Sequence, residues 1–393
     1  MESIVKRNFR SELKKIDWDF TGENGSSGLA SYHWYPARFV PQLPGILINY
    51  FSSPGDTILD PFCGSGTTLV ESYKIGRKAV GVDINPVAVL MTKAKLVEYN
   101  ERSLTEYVER IRRDSLRLLQ RAGKDFELSD ELMFDIPNPD ENSTWYSVET
   151  LNQLGAIWSA LQRNRNSKLF VVGLAAFSAI LKYSCSQDKH WGWICDNVKP
   201  KKMLPKSAMS RFNEKLEEFR LSSAELNEDV RILQECHVRA SDIKVIEGPC
   251  EDVLSRFQDR QFDLVVTSPP YYNMTDYIKS QRLTLLWLSK DVDKLRSEEI
   301  GARFKRGRED SLVQYLAQMK ACFMQVSRVL TRSAFCCVVI GESPRYAPFL
   351  DDFRNLCKTC GLKPVETLTR RISKQRSLSP ILHKEQILIL RKI

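Results

Sequence analysis

Two short stretches carry this chain's candidate reactive and binding residues. In DPFCGSGTT, Asp60 to Thr68, an acid precedes a turn that holds Gly64 and Gly66, and Asp83 follows 19 residues after Gly64. Glycines at such a turn allow a sharp change of direction and let backbone approach a ligand closely. An acid at the end of the next strand can accept both ribose hydroxyls of an adenosine ligand. The dinucleotide fingerprint wants a third small residue where this chain has Leu69, and the phosphate-cradling GxxxxGK[ST] pattern is absent. A carboxylate at Asp60 repels a pyrophosphate but suits a cationic ligand with an amino group, which favours S-adenosylmethionine over NAD or ATP. Phe62, Thr67 and Ile84 border the same positions. Asp252, in EGPCEDV, is placed to bond the adenine amine, with Glu251 as the alternative.

The second stretch is FDLVVTSPPYYN, Phe262 to Asn273. An apolar run enters Ser268, two prolines and two tyrosines. Pro269 and Pro270 fix the chain's direction and lack backbone donors, so carbonyls at the turn are left as acceptors. Ser268 adds a side-chain acceptor, and Tyr271 a flat face for a base, with Tyr272 as a second candidate. These features suit a planar group with an exocyclic amine.

An α/β architecture is needed to bring the two stretches together. TILDPF and AVGVDI are short apolar runs separated by a turn and a helical segment, the strand–helix–strand start of a parallel sheet. PVAVLMTKAK after Asn85 reads as a helix with Pro86 in its first turn. Further strands are expected at 244–248, 262–268, 334–341, 365–372 and 385–390, the last two as an antiparallel hairpin at a sheet edge. Between the second and third strands, residues 101–240 show apolar positions at helical spacing in 104–119, 148–161, 169–183 and 208–235. No loop of that length fits inside a compact sheet. The expected organisation is therefore one sheet domain from 1–100 and 241–393, with 101–240 as a helical insertion.

TSPPY together with DPFCGSGTT resembles the DNA amino-methyltransferase family, whose catalytic motif is Ser, Asp or Asn before Pro-Pro and an aromatic. HWYPARFVPQLPGILINYF, His33 to Phe51, resembles the family's lead-in segment, with Tyr35 and Pro36 on the cofactor's methionine side. DYIKSQRLTLLWL, Asp276 to Leu288, resembles the helix that follows the motif in a subset of these enzymes. The resemblance covers about residues 30–100 and 240–393. It implies a class I methyltransferase fold, S-adenosylmethionine as cofactor, and methyl transfer to a base amine in double-stranded DNA. The SPP form points to cytosine N4, with adenine N6 in DNA, guanine N2 in RNA, or a non-catalytic DNA-binding subunit as alternatives. It also implies a cognate restriction endonuclease or defence-system partner. The insertion precedes the third strand, which departs from the family's usual arrangement and leaves its part in target recognition open.

Charge and composition agree with such a partner. The 393 residues carry 58 Lys and Arg against 49 Asp and Glu, a net charge of +9, with 42% apolar and 27% charged residues. Disordered and fibrous classes are excluded for the bulk of the chain, and a basic balance points weakly to a polyanion. Three runs stand out: KPKKMLPK with Lys201 and Lys202, RFKRGR with Arg303, Lys305, Arg306 and Arg308, and RRISKQR from Arg370. Beside a DNA-modifying motif they are candidate phosphate contacts. His190, Trp191 and Trp193 are expected to pack the insertion rather than reach bases. The 10 cysteines are scattered, and the single CxxC, Cys357 to Cys360, lacks the further ligands a zinc site needs. We expect structural thiols, no metal, and a reducing cytoplasm near the nucleoid. The N-terminus lacks the apolar core of a signal peptide. Leu169–Leu181 falls short of the ~20 residues of a membrane span.

Overall fold

The computed structural model describes residues 9–20, 28–30, 32–122, 132–187, 199–234, 236–342, 346–372 and 384–393. His190, Trp191 and Trp193 lie outside them, as does most of the run that begins at Arg370.

The strands are β1 (Thr57–Asp60), β2 (Lys78–Asp83), β3 (Ile243–Glu247), β4 (Phe262–Thr267), β5 (Leu330–Gly341), β6 (Leu362–Arg371) and β7 (Lys384–Lys392). They form one sheet in the order β3-β2-β1-β4-β5-β7-β6. The first five are parallel, and β7 runs antiparallel to both β5 and β6. This is the class I methyltransferase arrangement. The hairpin expected at an edge is present, but β7 inserts between β5 and β6, and only β6 is the edge. Strand order reverses between β1 and β4, and in open α/β sheets ligands bind outside the carboxyl ends at such a point.

The helices are α1 (Phe9–Leu13), α2 (Gln42–Phe51), α3 (Thr67–Lys74), α4 (Pro86–Lys95), α5 (Glu101–Arg121), α6 (Pro139–Ser143), α7 (Val148–Arg163), α8 (Phe170–Ser184) and α9 (Ala208–Leu233). After β3 follow α10 (Cys250–Leu254), α11 (Tyr277–Ser280), α12 (Arg282–Trp287), α13 (Val292–Glu298), α14 (Ser311–Val329) and α15 (Phe349–Thr359). Helix α4 starts where the sequence dictates: Asn85 Oδ1 accepts from Val87 N at 3.0 Å, and Pro86 needs no acceptor in the first turn.

Helices α5, α7, α8 and α9 share a continuous apolar core with Leu90 and Ala94 of α4 and with Leu283 and Trp287 of α12. Trp287 is buried against Phe177 at 4.9 Å and Trp158 at 5.6 Å between ring centres. A buried polar chain crosses the same boundary, since His33 Nε2 and Thr284 Oγ1 both lie 2.7 Å from Ser178 Oγ. Burial pushes the His33 imidazole down to about 3, so it is neutral at any working pH. The apolar run of α8 is thus a packed helix, and no described helix is long and apolar enough to cross a membrane.

Candidate functional site

One cavity opens at the carboxyl ends of β1, β2 and β4. Asp60, Phe62, Gly64 and Thr67 line it from the first turn, Asp83 and Ile84 from the end of β2, and Ser268 and Pro270 from the turn after β4. The two stretches that sequence separates by about 200 residues thus share one wall.

Asp60 ends β1 and is 3% exposed. Its Oδ1 accepts from Thr267 Oγ1 at 2.7 Å and from Phe62 N at 3.2 Å, so the neighbouring strand braces it. Asp83 Oδ2 accepts from Gly64 N at 2.8 Å, and its Oδ1 from Asn85 N at 2.8 Å. Asp83 therefore also holds the glycine turn in place. Burial raises both carboxyls to about 6, against the hydrogen bonds that pull them down. Neither has a cationic partner among the described residues. One buried and one half-buried carboxyl, neither ion-paired among the described residues, line a cavity beside a glycine turn and fit a ligand that brings its own positive charge.

The two glycines do different work. Gly64 has φ 48° and lines the cavity, where a Cβ would sit 3.2 Å from the Tyr35 ring. Gly66, at φ 80°, does not line it, and a Cβ there would lie 2.3 Å from Thr92 Cγ2 on α4. Its role is close packing of α4 on the turn. Gly66→Ala should cost about 3 kcal/mol, combining backbone strain and overpacking. Urea unfolding checks this, and a change under about 0.5 kcal/mol would show the contact to be unimportant.

Helix α4 clamps the same turn in ways the sequence reading missed. Thr92 Oγ1 donates to Gly64 O at 3.1 Å, and Lys95 Nζ donates to Ser65 O at 2.6 Å. Burial pushes the Lys95 amine down to about 7. The available signal was a Thr and a Lys three residues apart in the otherwise apolar PVAVLMTKAK. Glu299 was missed as well. It is 3% exposed, lines the cavity, and accepts from Tyr277 N at 2.6 Å and Ile278 N at 3.4 Å. Burial raises it to about 8.

Several expected residues are placed elsewhere. Asp252 is exposed and does not line the cavity, whereas Glu251 does. Both lie on α10, and adjacent helical residues point about 100° apart, so only one can face inward. Tyr35 lines the cavity and stacks on Tyr277 at 6.0 Å, but Pro36 is buried behind it. Pro269 is buried and does not line the cavity. Tyr271 does not present an open face: it is 7% exposed, packs in the core with Tyr315 and Phe349, and its hydroxyl donates to Glu385 Oε1 at 2.7 Å. Tyr272 stacks on Phe349 and its hydroxyl lies 2.7 Å from Ser311 Oγ.

The basic runs also divide. Arg303 and Arg308 are exposed on a short turn, as are Lys201 and Lys202 on an irregular segment. The Arg303 turn packs on the chain after the tyrosines, with Arg303 N donating to Thr275 O at 3.3 Å and Phe304 N to Asp276 Oδ1 at 2.9 Å. Lys305 is not a free cation, because its Nζ donates to Ser297 O at 2.8 Å and Glu299 O at 2.7 Å. Arg306 belongs to the same turn, but its side chain lies outside the description. Arg370 is 4% exposed and lies over Phe20, beside Glu385, so it cannot meet a phosphate. Cys357 and Cys360 are buried at the end of α15.

Comparison with known proteins agrees with this geometry. Residues 4–94 match the model of the DNA methylase family. The Type II methyltransferase M.BsoBI of Geobacillus stearothermophilus is 26% identical over 292 residues, 70% of this chain and 55% of that protein. The Type II methyltransferase M.MvaI of Kocuria varians is 27% identical over 274 residues, 67% of this chain and 58% of that protein. A tRNA (guanine(10)-N2)-dimethyltransferase of Methanocaldococcus jannaschii is 38% identical over 69 residues, 17% of this chain and 20% of that protein. The chain thus spans little more than half the length of these two Type II methyltransferases. Over part of its length the chain is thus similar to DNA methylases and to Type II methyltransferases, and its glycine turn and SPPY turn line one cavity.

Proposed function

We propose that this chain transfers a methyl group from S-adenosylmethionine to an exocyclic amine of a DNA base, and that the amine is N4 of cytosine. The observation that carries this reading is the shared cavity, where Ser268 and Pro270 meet Asp60 and Asp83. Asp60 would face the cofactor's cationic end, Asp83 its ribose hydroxyls, and Phe62 and Ile84 its adenine. The cofactor supplies a methyl group made electrophilic by the sulfonium charge.

The chain's own residues then have two tasks. Cytosine N4 is a poor nucleophile because its lone pair is delocalised into the ring. Ser268 Oγ, which lines the cavity, accepts one of its hydrogens and favours a pyramidal nitrogen with a free lone pair. The rest is alignment, which can supply much of the barrier reduction by itself. A base inside a duplex cannot reach this cavity, so it must flip out. Arg303 and Arg308, both exposed, would hold the backbone, and the insertion at 101–240 would take part in target recognition. The Type II relatives suggest a restriction endonuclease as the partner activity.

Cofactor affinity should depend on pH with a defined sign. Asp60 and Asp83 are ionised only above about 6, and a cationic ligand binds the ionised form. Affinity should therefore fall as pH drops through about 6, by up to tenfold per pH unit for each group that must ionise. Calorimetric titration from pH 5 to 8 measures this, with uncharged methylthioadenosine as the control. A flat profile for S-adenosylmethionine would remove Asp60 from the cationic end.

Labelled cofactor offered to DNA and to RNA, followed by nucleoside analysis, tests the function. N4-methylcytosine from DNA is the expected product. N6-methyladenine alone would sink the cytosine assignment. Label confined to guanine in RNA would favour the reading suggested by the tRNA methyltransferase match.

A further inference from the structure

We propose that Glu385 is a positioning residue for Ser268 and acts through the Tyr271 hydroxyl. The inference deepens the amine-methylation reading and rests on it. Glu385 lies near the start of β7, opposite Gly341 of β5 and Arg370 of β6. Because β7 is antiparallel, its first residues fall at the edge where the parallel strands end, which is the edge that carries the site. A seventh strand running the other way would put this position at the far end of the sheet.

The hydrogen-bond chain has a direction. A carboxylate only accepts, so the Tyr271 hydroxyl donates to Glu385 Oε1 at 2.7 Å. Its proton is then committed, and the Tyr271 oxygen is left as an acceptor for Ser268 Oγ, which donates at 3.3 Å. A serine hydroxyl has one proton. With that proton turned toward Tyr271, Ser268 offers the cavity only lone pairs. That polarity suits an incoming amine, whose hydrogens need acceptors. A serine free to donate could instead bond the amine's own lone pair and block it. Arg370, 4% exposed with Nε 3.5 Å from Glu385 Oε2, supplies a fixed positive charge beside the carboxylate.

Glu385→Leu, Tyr271→Phe and the double variant test the assignment in the full chain, since leucine leaves the Tyr271 hydroxyl without its acceptor. Each single change should lower kcat about tenfold while the S-adenosylmethionine Kd stays within about twofold, and the double should be no slower than the slower single. With [13Cζ]tyrosine labelling, the resonance absent from Tyr271→Phe should shift in Glu385→Leu, whatever the activity. Losses that multiply, a Glu385→Leu enzyme with wild-type kcat, or an unshifted resonance would each overturn the proposal. If Glu385→Leu does not fold, Tyr271→Phe decides alone, because it breaks the same link without disturbing Arg370. Wild-type protein that methylates no amine overturns the parent reading and this assignment with it. An active wild type with an indifferent Glu385→Leu overturns the assignment alone.

Discussion

Asp60→Asn should weaken S-adenosylmethionine binding about 100-fold, or about 3 kcal/mol, without loosening the fold. The substitution keeps the side chain's shape and an oxygen to accept from Thr267 Oγ1 and Phe62 N, and removes only the charge. Stability should move the other way, if at all. Burial raises the folded-state carboxyl to about 6 from an ordinary value of 3.8, so the folded protein holds its proton more tightly than the unfolded chain. A group shifted in that direction stabilises the fold fully below the unfolded value and loses that contribution as pH rises through about 6. At pH 8 the ionised carboxylate is therefore a liability to the ligand-free protein, and asparagine removes it. The expected pattern is a lost calorimetric signal for S-adenosylmethionine with a melting temperature equal to or above that of the wild type. Wild-type affinity in Asp60→Asn would refute the ion-pairing role. A lower melting temperature together with lost binding would make Asp60 a structural residue instead.

The parts of this site that were legible in the sequence are those whose meaning is local. A glycine turn between an apolar run and a helix, an acid ending the next strand, and a double proline after an apolar run each occupy a few consecutive residues. The parallel order of those strands then brings Asp60, Asp83 and Ser268 to one cavity. What could not be read depends on rotation or on pairing between distant segments. Glu251 and Asp252 differ only by one step around α10. Tyr271 looks like an open aromatic face until β7 supplies Glu385, which lies 114 residues away in sequence. Arg370 reads as one member of a basic surface run, yet strand alternation on β6 turns it inward against Phe20 and Glu385. Strand β5 begins at Leu330, four residues before the apolar run suggests, because Arg332 and Ser333 extend it along an exposed stretch. The insertion of β7 between β5 and β6 is a choice of partner that hydrophobic pattern alone does not encode.

Ser268→Ala should lower the rate of methyl transfer at least about 100-fold and leave cofactor affinity unchanged, by analogy with deleting one well-placed polar group from a catalytic site. Pro269 is buried, and the Pro270 carbonyl accepts from Tyr315 Oη at 3.0 Å, so the path of the chain does not depend on the serine side chain. Asp60 keeps its bonds from Thr267 Oγ1 and Phe62 N, neither of which involves Ser268. The alanine enzyme should therefore fold and bind S-adenosylmethionine as before. It lacks the acceptor for one amine hydrogen, an interaction that matters more as the nitrogen turns pyramidal than when the substrate first binds. The loss should accordingly fall on kcat rather than on the KM for DNA. Single-turnover transfer from labelled cofactor, measured beside a cofactor titration, separates the two effects. A full rate in the alanine enzyme would exclude Ser268 as the amine's acceptor. An equal loss in cofactor affinity would place Ser268 in the cofactor's wall instead of the base's.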